Sequence, residues 1–268
     1  MDKDYLVYLL TLSETALYNH LRQVVKPSHE SEGLYLYVHK DDNMPCLVAH
    51  IDTVHRQKPT KKDIVKFGDV LFNIKGGLGA DDRAGVYALL QLKDLPYNLL
   101  FTNLEEIGGI GVKQALHDIP DLLSLNTCFI EIDRRGTGHY VDYVGAEQDF
   151  LNLFETRGLR PDYGSYSDIT DLSEELEIAS VNLACGYYDQ HTTKERLNLK
   201  ELQAVIDFLQ DEELIKELSS RQYKIEPPVW KFYYDLDYEI EKKPVDYYDE
   251  IYRMYVAYYK TFDKDYLI

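Results

Sequence analysis

The stretch IVKFGDVLFNIKGGLGADDRAGVYALLQL, residues 64 to 92, contains the pattern from which the fold class can be predicted. Two short runs typical of strands or extended loop lead into a glycine-rich turn, and a helix begins near Asp81. A strand over 98 to 106, a helix over 108 to 117 and a strand over 127 to 133 come next. This alternation predicts an α/β fold in which a mixed central sheet is sandwiched between helices.

The flanking segments extend the same architecture. Apolar residues at spacings of three and four predict one amphipathic helix over residues 4 to 25. LYLYVHK, residues 34 to 40, and CLVAHID, residues 46 to 52, are separated by the turn-rich DDNMP and predict a hairpin whose second strand is deeply buried. A further strand is predicted over 178 to 188, followed by a closing helix over 198 to 220.

The composition changes after residue 220. A chain of 268 residues with 45% hydrophobic content supports one substantial core, which we assign to residues 1 to 220. Residues 221 to 268 contain the proline pair Pro227 and Pro228, after which the chain becomes dense in tyrosine, and this predicts a separate Tyr-rich C-terminal extension with a helix over 245 to 263. Tyrosine is common at interfaces, so this extension is a candidate surface for a homo-oligomer or a protein partner.

The charge balance restricts the classes of partner. The chain carries 47 acidic and 29 basic side chains, a formal net charge of -18, and no run of Lys and Arg offers a local exception. Such a chain repels phosphate backbones, so nucleic acid is not expected as a partner. No stretch approaches the roughly 20 apolar residues of a membrane-spanning helix, so no membrane association is expected.

The cysteine pattern and the N-terminal sequence indicate the cellular compartment of the protein. Cys46, Cys128 and Cys185 are widely spaced, and each lies in an apolar run where a buried thiol acts as a small hydrophobe. The N-terminus MDKDYLVYLLTLSE has an apolar patch, but it is short, flanked by acidic residues and lacks a small-residue cleavage signal. These features predict a cytoplasmic protein.

Histidine and acidic residues follow the predicted strands. Metal-binding side chains in α/β proteins tend to lie at the carboxyl ends of strands, where loops converge on a crevice. Such side chains occur here at five places: His50 with Asp52, Asp81, Glu105 with Glu106, Asp133, and His191. Two histidines and three acidic ligands suit a pair of divalent cations, with Zn²⁺ favoured and Co²⁺ or Mn²⁺ as alternatives. Two cations held about 3.5 to 4 Å apart lower the pKa of a shared water and polarise the carbonyl that it attacks, so the set predicts a hydrolase.

The paired glutamates suggest a division of roles. Adjacent residues at a strand end point in opposite directions, so Glu106 could face a metal while Glu105 reaches the same water only through the loop beyond the strand. The chemistry needs one carboxylate as a ligand and a second, unligated one as general base and acid. Asp52, on the same face as His50, is predicted to hydrogen-bond the imidazole and fix its tautomer.

Ordered motifs carry a resemblance to a known family. The chain resembles the co-catalytic two-zinc peptidases related to bacterial leucyl-type aminopeptidases, aminoacylase and glutamate carboxypeptidases. The matching segments are HID at 50 to 52, GADDRAG at 79 to 85, TNLEEIGGIG at 102 to 111, EIDRRG at 131 to 136 and DQHTTKERL at 189 to 197. Each motif alone arises often by chance, whereas five in this order, each in the appropriate context, are specific.

The resemblance implies a role for each residue. His50 and Glu106 would belong to different metals, with Asp81 as the bridge between them. Asp133 and His191 would complete the two sites, and Glu105 would be the catalytic carboxylate. Asp82 would be a neighbour of the bridge and not the bridge itself.

The spacing between motifs selects a branch of that family. Only 31 positions separate His50 from Asp81 and 58 separate Asp133 from His191, which leaves no room for the lid or dimerisation domain of many members. The chain therefore resembles the lidless aminopeptidases. Asp168 lies in a segment similar to their pocket-lining loop, where an acid would meet a substrate amine.

Three functional hypotheses follow. The leading one is an exopeptidase, with aminopeptidase as the subtype, that hydrolyses an amide bond of a small peptide. The second is an N-acyl amino acid deacylase or carboxypeptidase, in which Arg134, Arg135 or Arg196 would bind the substrate carboxylate, although Arg134 and Arg135 could instead form structural ion pairs. The third is a non-catalytic binding protein on the same fold that uses the Tyr-rich extension as its interaction surface.

Overall fold

Strands and helices alternate along the described chain and make up more than half of residues 1–226. A computed structural model describes residues 1–226, which form nine helices and twelve strands. The helices are α1 (Lys3–Thr11), α2 (Glu14–Val25), α3 (Ala80–Leu92), α4 (Ile110–Asp118), α5 (Pro120–Leu123), α6 (Gln148–Glu155), α7 (Asp168–Leu176), α8 (Leu199–Phe208) and α9 (Glu212–Leu218). The strands are β1 (His29–Ser31), β2 (Tyr35–Val38), β3 (Cys46–His50), β4 (Ile64–Phe67), β5 (Val70–Asn73), β6 (Asn98–Thr102), β7 (Phe129–Arg134), β8 (His139–Val141), β9 (Arg160–Asp162), β10 (Ser180–Ala184), β11 (Tyr187–Tyr188) and β12 (Arg196–Asn198).

The main sheet is mixed, as predicted. Among the described residues it has eight strands in the order β1-β2-β6-β3-β7-β10-β8-β9. The central strands β6, β3, β7 and β10 are mutually parallel, whereas β2 joins β6 and β8 joins β10 in antiparallel pairs. Every residue of β3, β6 and β10 is buried, which is why these segments are rich in apolar residues and show no regular alternation with exposed polar ones. A smaller sheet has the order β11-β12-β5-β4.

Helices cover both faces of the main sheet. Helix α3 packs against β3 and β7 on one face, and α7 packs against β7 and β10 on the other. Because side chains alternate along a strand, Leu47 and Ala49 face the α3 side while Cys46 and Val48 face the α7 side. The predicted α/β class, a sheet between helices, is confirmed.

The predicted hairpin between residues 34 to 40 and 46 to 52 is wrong. Both strands form and β3 is deeply buried, but β6 lies between them, antiparallel to β2 and parallel to β3. A short polar turn is compatible with direct pairing but does not require it. The apolar run of β6 comes from later in the chain, and it fills the position beside β3.

Two predicted helices are each divided by a capping residue. The opening helix breaks between α1 and α2, where the Ser13 side chain accepts a hydrogen bond from the Ala16 N–H. The closing helix breaks between α8 and α9, where Asp211 accepts from Leu214 N–H. The predicted strand over 178 to 188 is also divided, because Gly186 has a φ of 89° between β10 and β11.

The last described residues pack on the main sheet. Tyr223 is buried, its N–H donates to the Thr127 carbonyl, and its own carbonyl accepts from the Ala179 N–H. The predicted boundary at residue 220 stays a prediction. Residues 227–268, which contain most of the Tyr-rich extension and its predicted helix, lie outside the described residues.

The cysteines are buried, as the sequence predicts. Cys46, Cys128 and Cys185 are all buried and none forms a disulfide. Within residues 1–226, no helix has both the length and the apolar character needed to cross a bilayer.

Arg83 joins the first helix to the strand end that carries His50. Its guanidinium is buried and donates to the carbonyls of Ile51, Leu9 and Leu12 at 3.1, 2.7 and 2.8 Å. We expect Arg83→Leu to lower the free energy of unfolding by about 3 kcal/mol, because three buried hydrogen bonds at about 1 kcal/mol each are lost. Urea denaturation measures this, with the exposed Arg160→Leu as control; equal loss in both variants would contradict the structural role.

Candidate metal centre

His50 is the last residue of β3 and faces the carboxyl end of the central sheet. Its side chain is buried, with Nε2 3.2 Å from Asp81 Oδ1 and 3.7 Å from Asp133 Oδ1. On the other side of the ring, Nδ1 lies 3.3 Å from Asp52 Oδ1. A carboxylate at Nδ1 favours the tautomer that leaves the Nε2 lone pair free for a metal.

Asp81 lies between the two histidines. It comes directly after Ala80, the first residue of α3, and its Oδ1 faces His50 while its Oδ2 lies 3.1 Å from His191 Nε2. The same His191 nitrogen is 3.0 Å from Glu106 Oε1. One carboxylate therefore has a histidine beside each of its oxygens.

Two groups of potential ligand atoms result. Among residues 1–226, His50, Asp81 and Asp133 form one group, and Asp81, Glu106 and His191 form the other, with the ligand atoms of each group within 4.8 Å of one another. Ligand atoms about 2.0 to 2.1 Å from a tetrahedral zinc lie about 3.3 Å apart. The four pairs described above span 3.0 to 3.7 Å, so nitrogen and carboxylate donors fit a pair of such cations. The groups divide the residues as the family resemblance implies, with Asp81 shared.

The charges of this cluster fit cations as well. Although burial alone lowers the pKa of His50, the carboxylates of Asp133, Asp52 and Asp81 raise it well above its ordinary value. Hydrogen bonds to Asp81 and Glu106 raise the pKa of His191 to about 10. Burial, followed by the negative charge of Asp81, raises the pKa of Asp133 to about 7. Divalent cations would replace protons in such a cluster and neutralise its carboxylates.

Asp82 faces into the fold and not toward His191. Its Oδ2 accepts from the backbone N–H of His50 at 3.2 Å, and its Oδ1 accepts from Gly85 N–H at 2.8 Å. Asp82 therefore fixes the backbone of β3 relative to α3, and it belongs to neither ligand group.

Glu105 and Glu106 lie in a loop and not at the strand end. Strand β6 ends at Thr102, and Leu104, with a φ of 65°, turns the chain. The N–H groups of Glu105 and Glu106 both donate to the Asp52 carboxylate, at 3.1 Å each. Asp52 thus binds the backbone of both glutamates, which the sequence did not predict, whereas its Oδ1 lies 3.3 Å from His50 Nδ1 without the geometry of the predicted hydrogen bond.

Glu105 approaches the first ligand group without belonging to it. Its Oε2 lies 4.0 Å from His50 Nε2. Burial, followed by the charges of Asp133, Glu106 and Asp81, raises the pKa of Glu105 to about 8, although His50 acts in the opposite direction. Such a carboxylate can exchange a proton near neutral pH, as a general base requires.

Solved structures of peptidases share this architecture, whereas no protein-family model and no curated protein sequence matches the chain. The aminopeptidase PepT from Bacillus cereus has a TM-score of 0.63 at 13% identity, over 81% of this chain and 97% of its own. A tripeptidase from Staphylococcus aureus has a TM-score of 0.63 at 15% identity, over 81% and 98%. The TET1 peptidase of Pyrococcus horikoshii, which can assemble into a tetrahedron or a large octahedral shell, has a TM-score of 0.53 at 13% identity, over 77% and 97%. The chain shares the fold of these peptidases.

Asp168 is the first residue of α7 and lies next to Thr102, the last residue of β6. It is buried, its Oδ2 accepts from the Thr102 hydroxyl, and its Oδ1 has no hydrogen-bond partner among the described residues. Burial and the charge of Glu105 raise the pKa of Asp168 to about 8. An acid with an unpaired oxygen beside the site is suited to a cationic group.

Arg134 forms an ion pair with Asp162, outside both ligand groups. It follows Asp133 on β7, and its Nη2 lies 3.4 Å from Asp162 Oδ2 and donates to the Tyr163 carbonyl. This is the structural ion pair that the sequence left open as an alternative. A contact with a substrate carboxylate stays a prediction.

Sequence reasoning missed the residues that hold Asp133 in place. Asn182 on β10 accepts from the Asp133 N–H at 2.9 Å, and the Tyr187 hydroxyl donates to Asp133 Oδ1 at 3.0 Å. Glu131, also buried on β7, accepts from Asn182 Nδ2 at 3.2 Å. A polar residue inside an apolar run, as in FIEI and SVNLA, was the signal that could have identified Glu131 and Asn182.

Proposed function

We propose that this chain is a metal-dependent exopeptidase, with aminopeptidase as the subtype, that hydrolyses an amide bond of a small peptide. The observation that carries the proposal is the Asp81 carboxylate shared between two groups of ligand atoms, with Glu105 beside one of them. The aminopeptidase fold supports it. Two Zn²⁺ ions are the proposed cofactors, with Co²⁺ or Mn²⁺ as alternatives, because imidazole and carboxylate donors suit all three.

Each residue has a proposed task in the reaction. His50, Asp81 and Asp133 would hold one cation, and Asp81, Glu106 and His191 the other. When bound, such a pair lowers the pKa of a shared water and polarises the substrate carbonyl. Glu105 accepts a proton from the water while the water oxygen bonds to the carbonyl carbon of the substrate. Glu105 then gives that proton to the leaving nitrogen as the carbon–nitrogen bond breaks. Asp52 holds the loop that carries Glu105 and lies beside the ring of His50.

The charges around the site favour a substrate amine over a substrate carboxylate. Asp168 and Glu131 are buried acids, each with one carboxylate oxygen that has no hydrogen-bond partner within residues 1–226. The guanidinium of Arg134, by contrast, already contacts Asp162 and the Tyr163 carbonyl. An ammonium group is therefore the better match, and we propose Asp168 as its contact.

A panel of blocked and unblocked substrates tests the subtype. We expect the metal-loaded enzyme to release amino acids from dipeptides and aminoacyl anilides, and to lose activity when the amine is acetylated. Asp168→Asn should lower kcat/KM for unblocked substrates by roughly 10- to 100-fold, because one charge-assisted contact contributes about 1.5 to 3 kcal/mol. For acetylated substrates, which are expected to be poor, Asp168→Asn should change kcat/KM little. Activity that needs a free carboxyl end and tolerates an acylated amine would instead favour the deacylase or carboxypeptidase.

Location and assembly are further parts of the proposal. Three buried, unpaired cysteines support a reducing, cytoplasmic location. The assembly of the TET1 peptidase supports a homo-oligomer. Analytical ultracentrifugation of the full chain measures this, and a monomer at micromolar concentration would contradict it.

A further inference from the structure

One buried carboxylate outside both ligand groups contacts the loop that carries Asp81. Glu195 is 1% exposed, and its Oε2 accepts from the N–H groups of Leu78 and Gly79 at 2.9 and 2.6 Å. Its Oε1 accepts from the N–H of Asp81 itself at 3.0 Å. The carboxylate therefore binds the backbone of the shared ligand and of the turn before it.

His55 supplies the fourth donor. Its Nε2 lies 2.8 Å from Glu195 Oε2, and because an ionised carboxylate can only accept, this nitrogen donates. Gly77 packs against the His55 ring so closely that a Cβ there would fall 2.0 Å from it. The side chain of His55 is thus held between Gly77 and Glu195.

These contacts join three loops at a single point. His55 follows Asp52 in the loop after β3, Leu78 to Asp81 form the turn into α3, and Glu195 follows His191 in the loop before β12. Between them these loops carry or adjoin His50, Asp81 and His191, which include ligands proposed for both cations. The distance between the ligand groups depends on how these loops are held relative to one another.

We propose that Glu195 is a positioning residue that fixes Asp81 between the two ligand groups. It touches neither substrate nor reacting atoms and acts through the Asp81 backbone and the adjoining turn. The proposal rests on the proposed function, because it assigns Asp81 the role of bridging carboxylate. Outer contacts of this kind orient metal ligands, and their loss typically lowers metal affinity by about 10- to 100-fold.

Glu195→Gln separates this role from simple burial. Glutamine has nearly the same shape but only one acceptor oxygen, and Glu195 uses both of its own. The glutamine oxygen can replace Oε2, which accepts from three donors. The amide NH₂ then replaces Oε1 and faces the N–H of Asp81, so the hydrogen bond to Asp81 is lost. Glu201→Gln is the matched control, because Glu201 likewise uses both carboxylate oxygens as acceptors, from the side chains of Tyr188 and Asn198, but accepts nothing from Asp81.

The measurement uses Mn²⁺ added to metal-free full-length protein. Calorimetric titration gives the affinity for each equivalent, and electron paramagnetic resonance reports magnetic coupling between two ions that share a carboxylate. We expect the wild type and Glu201→Gln to bind two ions with a coupled spectrum. In Glu195→Gln, affinity for the second equivalent should fall about 10- to 100-fold and the coupled signal should weaken. Wild-type affinity and coupling in a folded Glu195→Gln would overturn the proposal.

Two His55 variants keep the test valid if Glu195→Gln does not fold. His55→Gln retains a side-chain N–H that can donate to Glu195, whereas His55→Leu removes only that donor and leaves Glu195 charged. We expect near-wild-type binding of the second Mn²⁺ by His55→Gln and weaker binding by His55→Leu. Equal binding by the two would overturn the proposal.

Amide hydrogen exchange distinguishes this proposal from the proposed function. In metal-free protein the Asp81 and Gly79 amides should be protected, and Glu195→Gln should increase their exchange relative to Glu201→Gln. If the wild type binds no pair of ions while this difference is present, the dinuclear function fails and the positioning contact stands. If two ions bind with a coupled spectrum and the exchange is unchanged, the positioning role fails and the proposed function stands.

Discussion

Asp81→Asn is expected to abolish binding of the metal pair. Wild-type protein purified without added metal or chelator should carry about two zinc equivalents per chain, and the variant much less than one. Asparagine keeps the size of the side chain but is neutral, and its NH₂ cannot act as a ligand, so one of the two oxygens between His50 and His191 is lost. Hydrolysis should fall by roughly 10³-fold or more, because the cations supply several kcal/mol of transition-state stabilisation.

Elemental analysis together with a matched control makes the result specific. Asp69→Asn changes the same chemical group at a surface position, where the carboxylate pairs with Lys200 at 2.6 Å. That variant should keep its metal. If Asp81→Asn retained two equivalents, the shared carboxylate would not be the bridge. Folded wild type that takes up no zinc on titration would favour the binding-protein hypothesis.

The central strands could be predicted because burial leaves a direct mark on sequence. Strands such as CLVAH and NLLFT have apolar centres, and polar residues of the site lie at or just after their carboxyl ends. Strand neighbours could not be predicted in the same way. Whether β2 pairs with β3 or with β6 depends on competition between apolar strands that are far apart in the chain, and a local turn motif carries no information on that competition.

The candidate site could likewise be predicted only in part from the sequence. The five proposed ligands were identifiable from ordered motifs, and the structure brings all five together in two groups. The roles of Glu195 and Asn182 could not be identified from the sequence, because each residue acts through hydrogen bonds from backbone N–H groups in other segments. Side-chain chemistry suggests which residues can bind a metal, whereas the contacts that hold those residues depend on the packed fold.

The position of Glu105 also depended on loop geometry. Strand alternation alone would place adjacent glutamates on opposite faces. The turn at Leu104, with a φ of 65°, and the two hydrogen bonds to Asp52 bring both backbones to the same edge of the site. This geometry allows one glutamate to be a ligand while its neighbour remains unligated.

Glu105→Gln is expected to lower kcat by about 10²- to 10⁴-fold while leaving the metal content unchanged. Glu105 belongs to neither ligand group and lies 4.0 Å from His50 Nε2, so its loss removes a proton acceptor without removing a ligand. KM should change little, because the interaction is made in the transition state and not in the ground state. Steady-state kinetics on an unblocked dipeptide, with zinc measured on the same samples, provides the test.

The neighbouring Glu106→Gln is the matched comparison for this division of roles. The two variants remove the same charge from consecutive residues, yet only Glu106 has an oxygen 3.0 Å from His191 Nε2 and lies in a ligand group. Glu106→Gln should therefore lose about one metal equivalent, and part of its lost activity should return when zinc is added in excess. Glu105→Gln should not recover at any zinc concentration, because its metals are already bound. If the two results were reversed, Glu105 would be the ligand and Glu106 the general base.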